Sequence, residues 1–296
     1  MPRLRPAHAA VAALAAVATT TLVTSPAAAA PASAVHYVAL GDSYSAGPLI
    51  PLQTGMPLGC QRSDHNYPSL VAKQLGVASF RDVSCSAATT EHFTSPQSVP
   101  LGQNPPQFDA LTSDADLVTF SMGGNDIGFG EIIQECTTRS PLQPFGSACK
   151  DFYTSGGTDK LAARISDTAP KIAAAVKGIK KRSPKARVLV VGYPSILPDE
   201  GPGCFPVVPF SAGDVAYLRA TEKRLDAMLE AQAEKNGADY VDTYTPTIGH
   251  DICQLPGKKW IEGLVPTAPA APVHPNALGM NGMAQAVLGK LSDLRS

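Results

Sequence analysis

Short runs of branched aliphatic residues alternate along this chain with longer segments of helical periodicity, and this alternation constrains the fold more than any other feature. Five runs are predicted strands, at residues 35–41, 81–84, 116–121, 186–192 and 238–243. Four segments carry apolar residues at helical spacing, at residues 67–75, 159–181, 212–236 and 276–294. Strands that alternate with helices indicate a parallel sheet covered by helices on both faces. We therefore expect a single α/β domain.

The first 34 residues differ in composition from the rest of the chain. Arg3 and Arg5 precede an Ala/Val/Leu-rich run over residues 9–23, and small residues follow it. This pattern is typical of a secretory signal peptide, and the run is too short for a comfortable membrane span. We predict a signal peptide over residues 1–34 and one folded domain over residues 35–296, secreted as an extracellular protein with no stable membrane span.

The charges of the chain are nearly balanced, with 24 basic and 25 acidic side chains. Such a balance provides no basic field for nucleic acid, so we expect no nucleic-acid partner. We also expect the protein to act as a monomer.

The six cysteines are even in number, and none forms a C-x-x-C pair. In an oxidising compartment this usage favours disulfides over metal ligation, so we expect no metal site. Six cysteines allow about 15 connectivities, among which sequence alone does not choose. The simplest is sequential pairing, which would join Cys60–Cys85, Cys136–Cys149 and Cys204–Cys253.

Reactive side chains follow predicted strands at several points. In open α/β sheets, ligands bind beyond the carboxyl ends of the strands. Gly-Asp-Ser at residues 41–43 follows the first strand, Gly-Gly-Asn at residues 123–125 follows the third, and His274 lies in a loop before the last helix. A serine hydroxyl needs a neighbouring base to act as a nucleophile, and an asparagine amide is suited to binding an oxyanion. The three motifs together therefore indicate nucleophilic catalysis.

These motifs, in this order, resemble those of the SGNH hydrolases, also called GDSL lipases and esterases, and within them the secreted actinobacterial branch with three disulfides. The resemblance extends from Tyr37, before the serine motif, to Asn276, after the histidine. It implies a flavodoxin-like, three-layer fold around a mostly parallel five-stranded sheet. It also implies hydrolysis of esters through an acyl-enzyme, without a metal or an organic cofactor.

The resemblance assigns roles to individual residues. Ser43 matches the nucleophile and His274 the general base, while the backbone N–H groups of Ser43 and Ala87 and the amide of Asn125 match the oxyanion hole. Ala87 stands where the family has a glycine. Ala271 stands where many relatives carry an acid three residues before the histidine. Similar secreted members orient the histidine with a backbone carbonyl, so the resemblance implies a Ser–His dyad in which the carbonyl of Ala271 accepts from the imidazole.

The predicted function is a secreted serine ester hydrolase, a lipase or esterase that cleaves fatty-acid esters. A phospholipase or lipid acyltransferase on the same site, a carbohydrate deacetylase, and a catalytically silent cell-surface binding module remain as alternatives. Three apolar loops, at residues 48–52, 205–210 and 264–273, are expected to form a groove for acyl chains. That expectation requires exposed side chains in these loops, namely Leu49, Ile50, Phe205 and Phe210.

Overall fold

The structure, a computed structural model, describes residues 1–2 and 35–293. Almost all of the predicted signal peptide therefore lies outside the described residues. The strands are β1 (His36–Gly41), β2 (Ser79–Asp82), β3 (Gln97–Val99), β4 (Gly102–Asn104), β5 (Leu117–Ser121), β6 (Arg187–Val191) and β7 (Asp239–Val241). Five of them form a parallel sheet in the order β2-β1-β5-β6-β7, and β3 and β4 form a separate antiparallel pair.

Helices cover both faces of this sheet. They are α1 (Ser43–Ala46), α2 (Tyr67–Leu75), α3 (Phe129–Arg139), α4 (Ala148–Thr154), α5 (Lys160–Arg182), α6 (Ala212–Lys235) and α7 (Ala277–Asp293). The chain moves from β1 to β2 in one direction and from β5 through β6 to β7 in the other. Right-handed crossovers therefore place α2 on one face and α5 and α6 on the opposite face. In agreement, α5 packs on α6 and α2 packs on α7, and the predicted three-layer, flavodoxin-like fold is confirmed.

The central strands are buried along their whole length. Every residue of β5 is buried, and so are Val188–Val191 of β6. Continuous aliphatic runs of this kind are typical of strands with helices on both faces. By contrast β2 lies at the edge of the sheet with most of its residues exposed, and it begins two residues before the predicted strand.

The segment 127–157, over which no helix was predicted, is helical along part of its length. It contains α3 and α4, which hold only two buried residues each, among them the cysteines Cys136 and Cys149. The two helices are only 11 and 7 residues long, so each offers a short apolar pattern that the sequence analysis did not assign to a helix. A disulfide between Cys136 and Cys149 joins them.

All six cysteines are paired. Besides the bridge between α3 and α4, Cys60 pairs with Cys85 and Cys204 with Cys253, which gives the sequential connectivity. The three bridges close loops of 25, 13 and 49 residues. In the chain-entropy description, each loop of this size stabilises the fold by roughly 3 to 4 kcal/mol. The bridge between Cys60 and Cys85 spans α2 and β2, and the bridge between Cys204 and Cys253 spans α6 and β7.

Candidate active site

Ser43 lies at the carboxyl end of β1, as the first residue of α1. The chain turns there at Gly41, whose φ is +133°, and a Cβ on this residue would lie 2.7 Å from the carbonyl oxygen of Ser121. Asp42 caps α1, since its Oδ1 accepts a hydrogen bond from the N–H of Tyr44 at 2.9 Å. The turn thus presents the Ser43 hydroxyl at the edge of the sheet.

The imidazole of His274 contacts this hydroxyl directly. The distance between His274 Nε2 and Ser43 Oγ is 2.7 Å, although 231 positions separate the two residues in the sequence. Tyr44 supports this contact, because its ring lies 4.9 Å from the imidazole and its hydroxyl donates to the carbonyl of Val273 at 2.7 Å. The N–H of Glu262 donates to the His274 carbonyl at 2.9 Å. The His274 loop is therefore held on both sides.

The carbonyl that orients His274 is that of Pro272, which corrects the expectation for Ala271. His274 Nδ1 lies 2.8 Å from the Pro272 carbonyl oxygen. The carbonyl of Ala271 instead accepts the backbone N–H of His274 at 3.2 Å, which closes a four-residue turn. Val273, the third residue of that turn, has a φ of 59°. A turn with proline as its second residue takes this left-handed conformation at its third residue when it is of type II. The carbonyl of Pro272 then faces the imidazole.

Burial lowers the pKa of His274 below its usual 6.5, and the hydrogen bond with Pro272 opposes this shift. The imidazole is therefore neutral near pH 7. With the proton on Nδ1, the imidazole donates a hydrogen bond to the Pro272 carbonyl, and Nε2 is left as the acceptor toward the Ser43 hydroxyl. This is the protonation state that a general base requires.

Glu262, the nearest acid upstream of His274, has other partners. One carboxylate oxygen accepts from the Asn276 amide at 2.7 Å, and the other accepts from the N–H of Thr267 at 2.7 Å and lies 3.4 Å from Lys259 Nζ. The ion pair with Lys259 is buried. Glu262 thus organises the loop behind His274, and in the described part of the chain the imidazole makes no hydrogen bond with a carboxylate.

The three groups predicted for the oxyanion hole are the side-chain amide of Asn125 and the backbone N–H groups of Ala87 and Ser43. Asn125, after β5, donates from Nδ2 to the carbonyl of Ala88 at 2.9 Å, which fixes the orientation of its amide. Ala87 has a φ of 64°, a conformation that favours glycine and explains the glycine expected at this position. The backbone N–H groups of Ser43 and Ala87 donate to no acceptor within residues 35–293. Ser43, Ala87, Asn125 and His274 line one cavity with an empty volume of about 780 Å³.

A tyrosine that sequence reasoning missed connects two of these motifs. The hydroxyl of Tyr193, just after β6, donates to Asp42 Oδ2 at 2.6 Å and accepts the N–H of Gly124 at 2.8 Å. Burial raises the pKa of Asp42 from 3.8 to about 7, while the hydrogen bonds from Tyr193 and the Tyr44 N–H oppose the shift. The signal was the same as for Ser43: Tyr193 follows a glycine at the end of a buried strand.

Asp126 connects the asparagine loop to the segment after Ala87. Its carboxylate accepts the N–H of Thr90 at 2.9 Å and also binds the hydroxyl of that residue. Lys171 Nζ lies 3.6 Å from the same carboxylate. Like Asp42, Asp126 is therefore structural in this arrangement.

A second cavity, largely apolar, also reaches the same serine. It has an empty volume of about 700 Å³, and its lining includes Ser43 and Asn125. Most of the remaining lining is aliphatic or aromatic and comes from α3, α6 and the segment after β6, for example Ile132, Ile133, Leu197, Phe210, Leu218 and Leu225. Apolar pockets with a few polar groups are the usual binding sites for small ligands.

The expected groove of three exposed apolar loops is only partly present. Leu49 and Phe205 are 50% and 43% exposed, but Ile50 and Phe210 are 2% and 1% exposed. Phe210 faces the apolar cavity instead of solvent, and α3 and α6 supply much of that cavity. The expectation was therefore wrong for Ile50 and Phe210, and it did not include the part of the lining that α3 supplies, because α3 was not predicted.

Two other histidines, His250 and His92, lie in structural contacts. The His250 ring stacks on Trp260 with centroids 4.0 Å apart, and the His92 ring accepts the N–H of Thr89 at the start of a short helical turn. Among the described residues, no group of three or more His, Cys, Asp or Glu side chains is arranged to hold a metal ion. No helix within residues 35–293 has the length and apolar character of a membrane span.

Comparisons with known proteins agree with this geometry. A model of the GDSL-like Lipase/Acylhydrolase family matches residues 39–281. Lipase 2 of Streptomyces coelicolor is 44% identical over 264 residues, which cover 87% of each chain. The crystal structure of phospholipase A1 from Streptomyces albidoflavus NA297 superposes with a TM-score of 0.73, at 27% identity over 87% of this chain and 99% of that one. An extracellular lipase from Streptomyces rimosus gives a TM-score of 0.70, at 28% identity over 86% and 99% of the two chains. The chain therefore belongs to the GDSL-like lipase/acylhydrolase family and is a lipase or esterase, a hydrolase of carboxylic esters.

Proposed function

We propose that the protein is a secreted serine esterase that cleaves fatty-acid esters with Ser43 as nucleophile and His274 as general base. The 2.7 Å contact between Ser43 Oγ and His274 Nε2 carries this proposal. The neutral acceptor at Pro272 makes the pair a dyad. A carbonyl fixes the imidazole tautomer but stabilises the imidazolium less than a carboxylate does.

The proposed reaction has two halves. In the first, Nε2 takes the Ser43 proton as Oγ attacks the ester carbonyl, and the resulting tetrahedral intermediate collapses to an acyl-enzyme. His274 gives its proton to the leaving alcohol. In the second half, His274 activates a water that attacks the acyl-enzyme, and the acid leaves as Ser43 regains its proton. Every proton transfer uses a group of this chain, so the proposal needs no metal or cofactor.

The oxyanion of both intermediates would be bound by the free N–H groups of Ser43 and Ala87 and by the Asn125 amide. Each donor of this kind is worth roughly 2.7 to 4 kcal/mol of transition-state stabilisation. The apolar cavity is the favoured site for the acyl chain, because its lining is mostly aliphatic and aromatic. The cavity that His274 and Ala87 line is then left for the alcohol part of the ester.

We propose residues 1–34 as the secretory signal and residues 35–296 as the mature, monomeric enzyme. The three disulfides support export, because such bonds persist in oxidising compartments. The similarity to an extracellular lipase supports it as well.

The test is hydrolysis of p-nitrophenyl esters from acetyl to palmitoyl by the mature protein and its Ser43→Ala variant. We expect rates that rise beyond acetyl and vanish in the variant. Activity on acetyl esters alone would favour a deacetylase. Equal rates for the two proteins would exclude Ser43 as the nucleophile, and no turnover by either would favour a binding module.

Phospholipid esters are the second candidate substrate, because the chain is similar over its length to a phospholipase A1. The cavity on the His274 side also offers space for a large alcohol part. Release of fatty acid from phosphatidylcholine, compared with release from a triacylglycerol of the same acyl groups, distinguishes the two substrate classes. Transfer to an added alcohol, measured in the same reactions, would identify an acyltransferase.

A further inference from the structure

The apolar cavity beside Ser43 contains one side chain that its apolar lining does not explain. On α6, Leu218, Thr221, Glu222 and Leu225 all line the cavity. Their spacing is that of one helical face, on which an amphipathic helix carries apolar residues. Glu222 therefore stands where the pattern calls for an aliphatic side chain. Departures from such local rules concentrate at functional sites.

The carboxyl of Glu222 has few partners. Its two oxygens lie 3.1 and 3.4 Å from a single donor, the N–H of Ile196. The adjacent cation, Lys223, forms its ion pair with Asp199 instead. Within residues 35–293, Glu222 thus has no ion-pair partner, and its hydrogen bonds come from this one N–H group.

An unpaired carboxyl among apolar side chains favours the neutral acid, because burying a charge without a partner is costly. Burial raises the pKa of Glu222 well above its usual value, and nearby Asp226 raises it further, while the Ile196 N–H and Lys223 act in the opposite direction. A neutral carboxylic acid has an O–H to donate. No protein acceptor binds Glu222 among the described residues, so this donor is available to a ligand in the cavity.

The other hydroxyl groups of the cavity are already engaged. Thr221 donates to the carbonyl of Tyr217 at 3.0 Å, and Tyr193 donates to Asp42. Ser43 Oγ contacts His274. Away from the reacting groups, Glu222 is therefore the side chain of this cavity that has an unused donor.

We propose that Glu222 recognises an oxygen atom on the acyl chain, so that the enzyme favours acyl groups bearing a hydroxyl, keto or ether oxygen along their length. The inference rests on the proposed function, because it requires the acyl chain of the Ser43 acyl-enzyme to occupy the apolar cavity. A plain alkyl chain beside Glu222 leaves the O–H without an acceptor. An oxygen at the matching position accepts that hydrogen bond.

An ether scan tests the proposal. The reference substrate is p-nitrophenyl decanoate, and each analogue replaces one methylene, at the fifth to the ninth chain position, with an ether oxygen of nearly the same size. The leaving group is constant, so differences in kcat/KM report only the acyl part. We expect the ether-to-methylene ratio of the wild-type enzyme to peak at one position. In Glu222→Leu the ratio at that position should fall about tenfold, the effect of one hydrogen bond with a desolvated partner.

Two further variants control for structural effects. Glu222→Gln should keep the peak, since an amide also donates a hydrogen bond. Leu225→Val, which changes the lining of the same cavity without changing its polarity, should alter kcat/KM for all esters by a similar factor and leave the ratio unchanged. A ratio that is flat along the chain in the wild type, or equal in the wild type and Glu222→Leu, would overturn the proposal.

The same experiment separates this inference from the proposed function. If Ser43→Ala is inactive on every ester and the ratio is flat, only the role of Glu222 is refuted. If Ser43→Ala retains activity, the proposed function itself fails.

Discussion

The Tyr193 hydroxyl provides a sharp test of how the site is held together. Tyr193→Phe removes the donor to Asp42 Oδ2 and the acceptor for the Gly124 N–H, at distances of 2.6 and 2.8 Å. Both partners are buried. Leaving a buried polar group without a partner costs about 1 to 3 kcal/mol. Since two groups are affected, we expect the free energy of unfolding to fall by about 2 to 6 kcal/mol.

The same substitution should lower kcat more than it changes KM. Gly124 precedes Asn125 and Asp42 precedes Ser43, so relaxation of this contact displaces both the proposed nucleophile and a proposed oxyanion donor. Displacements of about 1 Å reduce rates by as much as 100-fold, and we expect a loss of at least tenfold in kcat. Urea unfolding and steady-state hydrolysis of p-nitrophenyl esters measure the two effects.

A matched control is Tyr37→Phe, at the opposite end of β1. Its hydroxyl is also buried and bonds the Thr119 hydroxyl at 2.7 Å. We expect this variant to lose about 1 kcal/mol of stability and to keep its kcat. If Tyr193→Phe behaves like Tyr37→Phe in both measurements, the proposed role of Tyr193 in positioning the site is refuted.

Three more predictions follow from buried titratable groups. Because burial lowers the pKa of His274, the acid limb of the kcat/KM profile should have its midpoint below 6.5, and a midpoint above that value would contradict a neutral, buried base. Glu262→Gln should retain most of kcat, since Glu262 does not contact the imidazole, but should lose about 3 kcal/mol of stability by leaving Lys259 buried without its partner. Calorimetry and ester hydrolysis on the same preparation check this, and a variant that is inactive but stable would contradict it. Burial raises the pKa of Asp226 from 3.8 to about 8, so its protonation stabilises the fold at low pH and this stability is lost as the pH rises toward 8. Asp226→Asn should therefore lose less stability between about pH 5 and about pH 9 than the wild type in urea unfolding, and an equal loss would refute the assignment.

The sheet and the positions of the main site residues were accessible from the sequence for a physical reason. Strands such as β6 are buried on both faces and consist of nearly continuous aliphatic residues, so they stand out in the sequence. Their carboxyl ends meet at one edge of the sheet, which is why the motifs of Ser43 and Asn125 were expected to lie together. The structure brings Ser43, Asn125 and His274 around one cavity.

Features that depend on tertiary contacts were not accessible in this way. The short helices α3 and α4 bury only two residues each and are joined by a disulfide, and no helix was predicted for their segment. The choice between Ala271 and Pro272 as the partner of the imidazole depends on the left-handed conformation of Val273, which is unusual for a β-branched residue. Glu222 has significance only because α6 turns it toward a cavity that other elements complete.

The 231-residue separation between Ser43 and His274 has a consequence for when activity arises. Ser43 follows the first strand and His274 precedes the last helix, so the proposed catalytic pair forms only after the chain has closed nearly end to end. A nascent or extended chain contains both side chains but has no activated serine. With Ser43 and His274 as the proposed catalytic pair, turnover reports complete folding, and a chain cut before α7, which retains His274 but lacks the last helix, should be silent even if its first strands have formed.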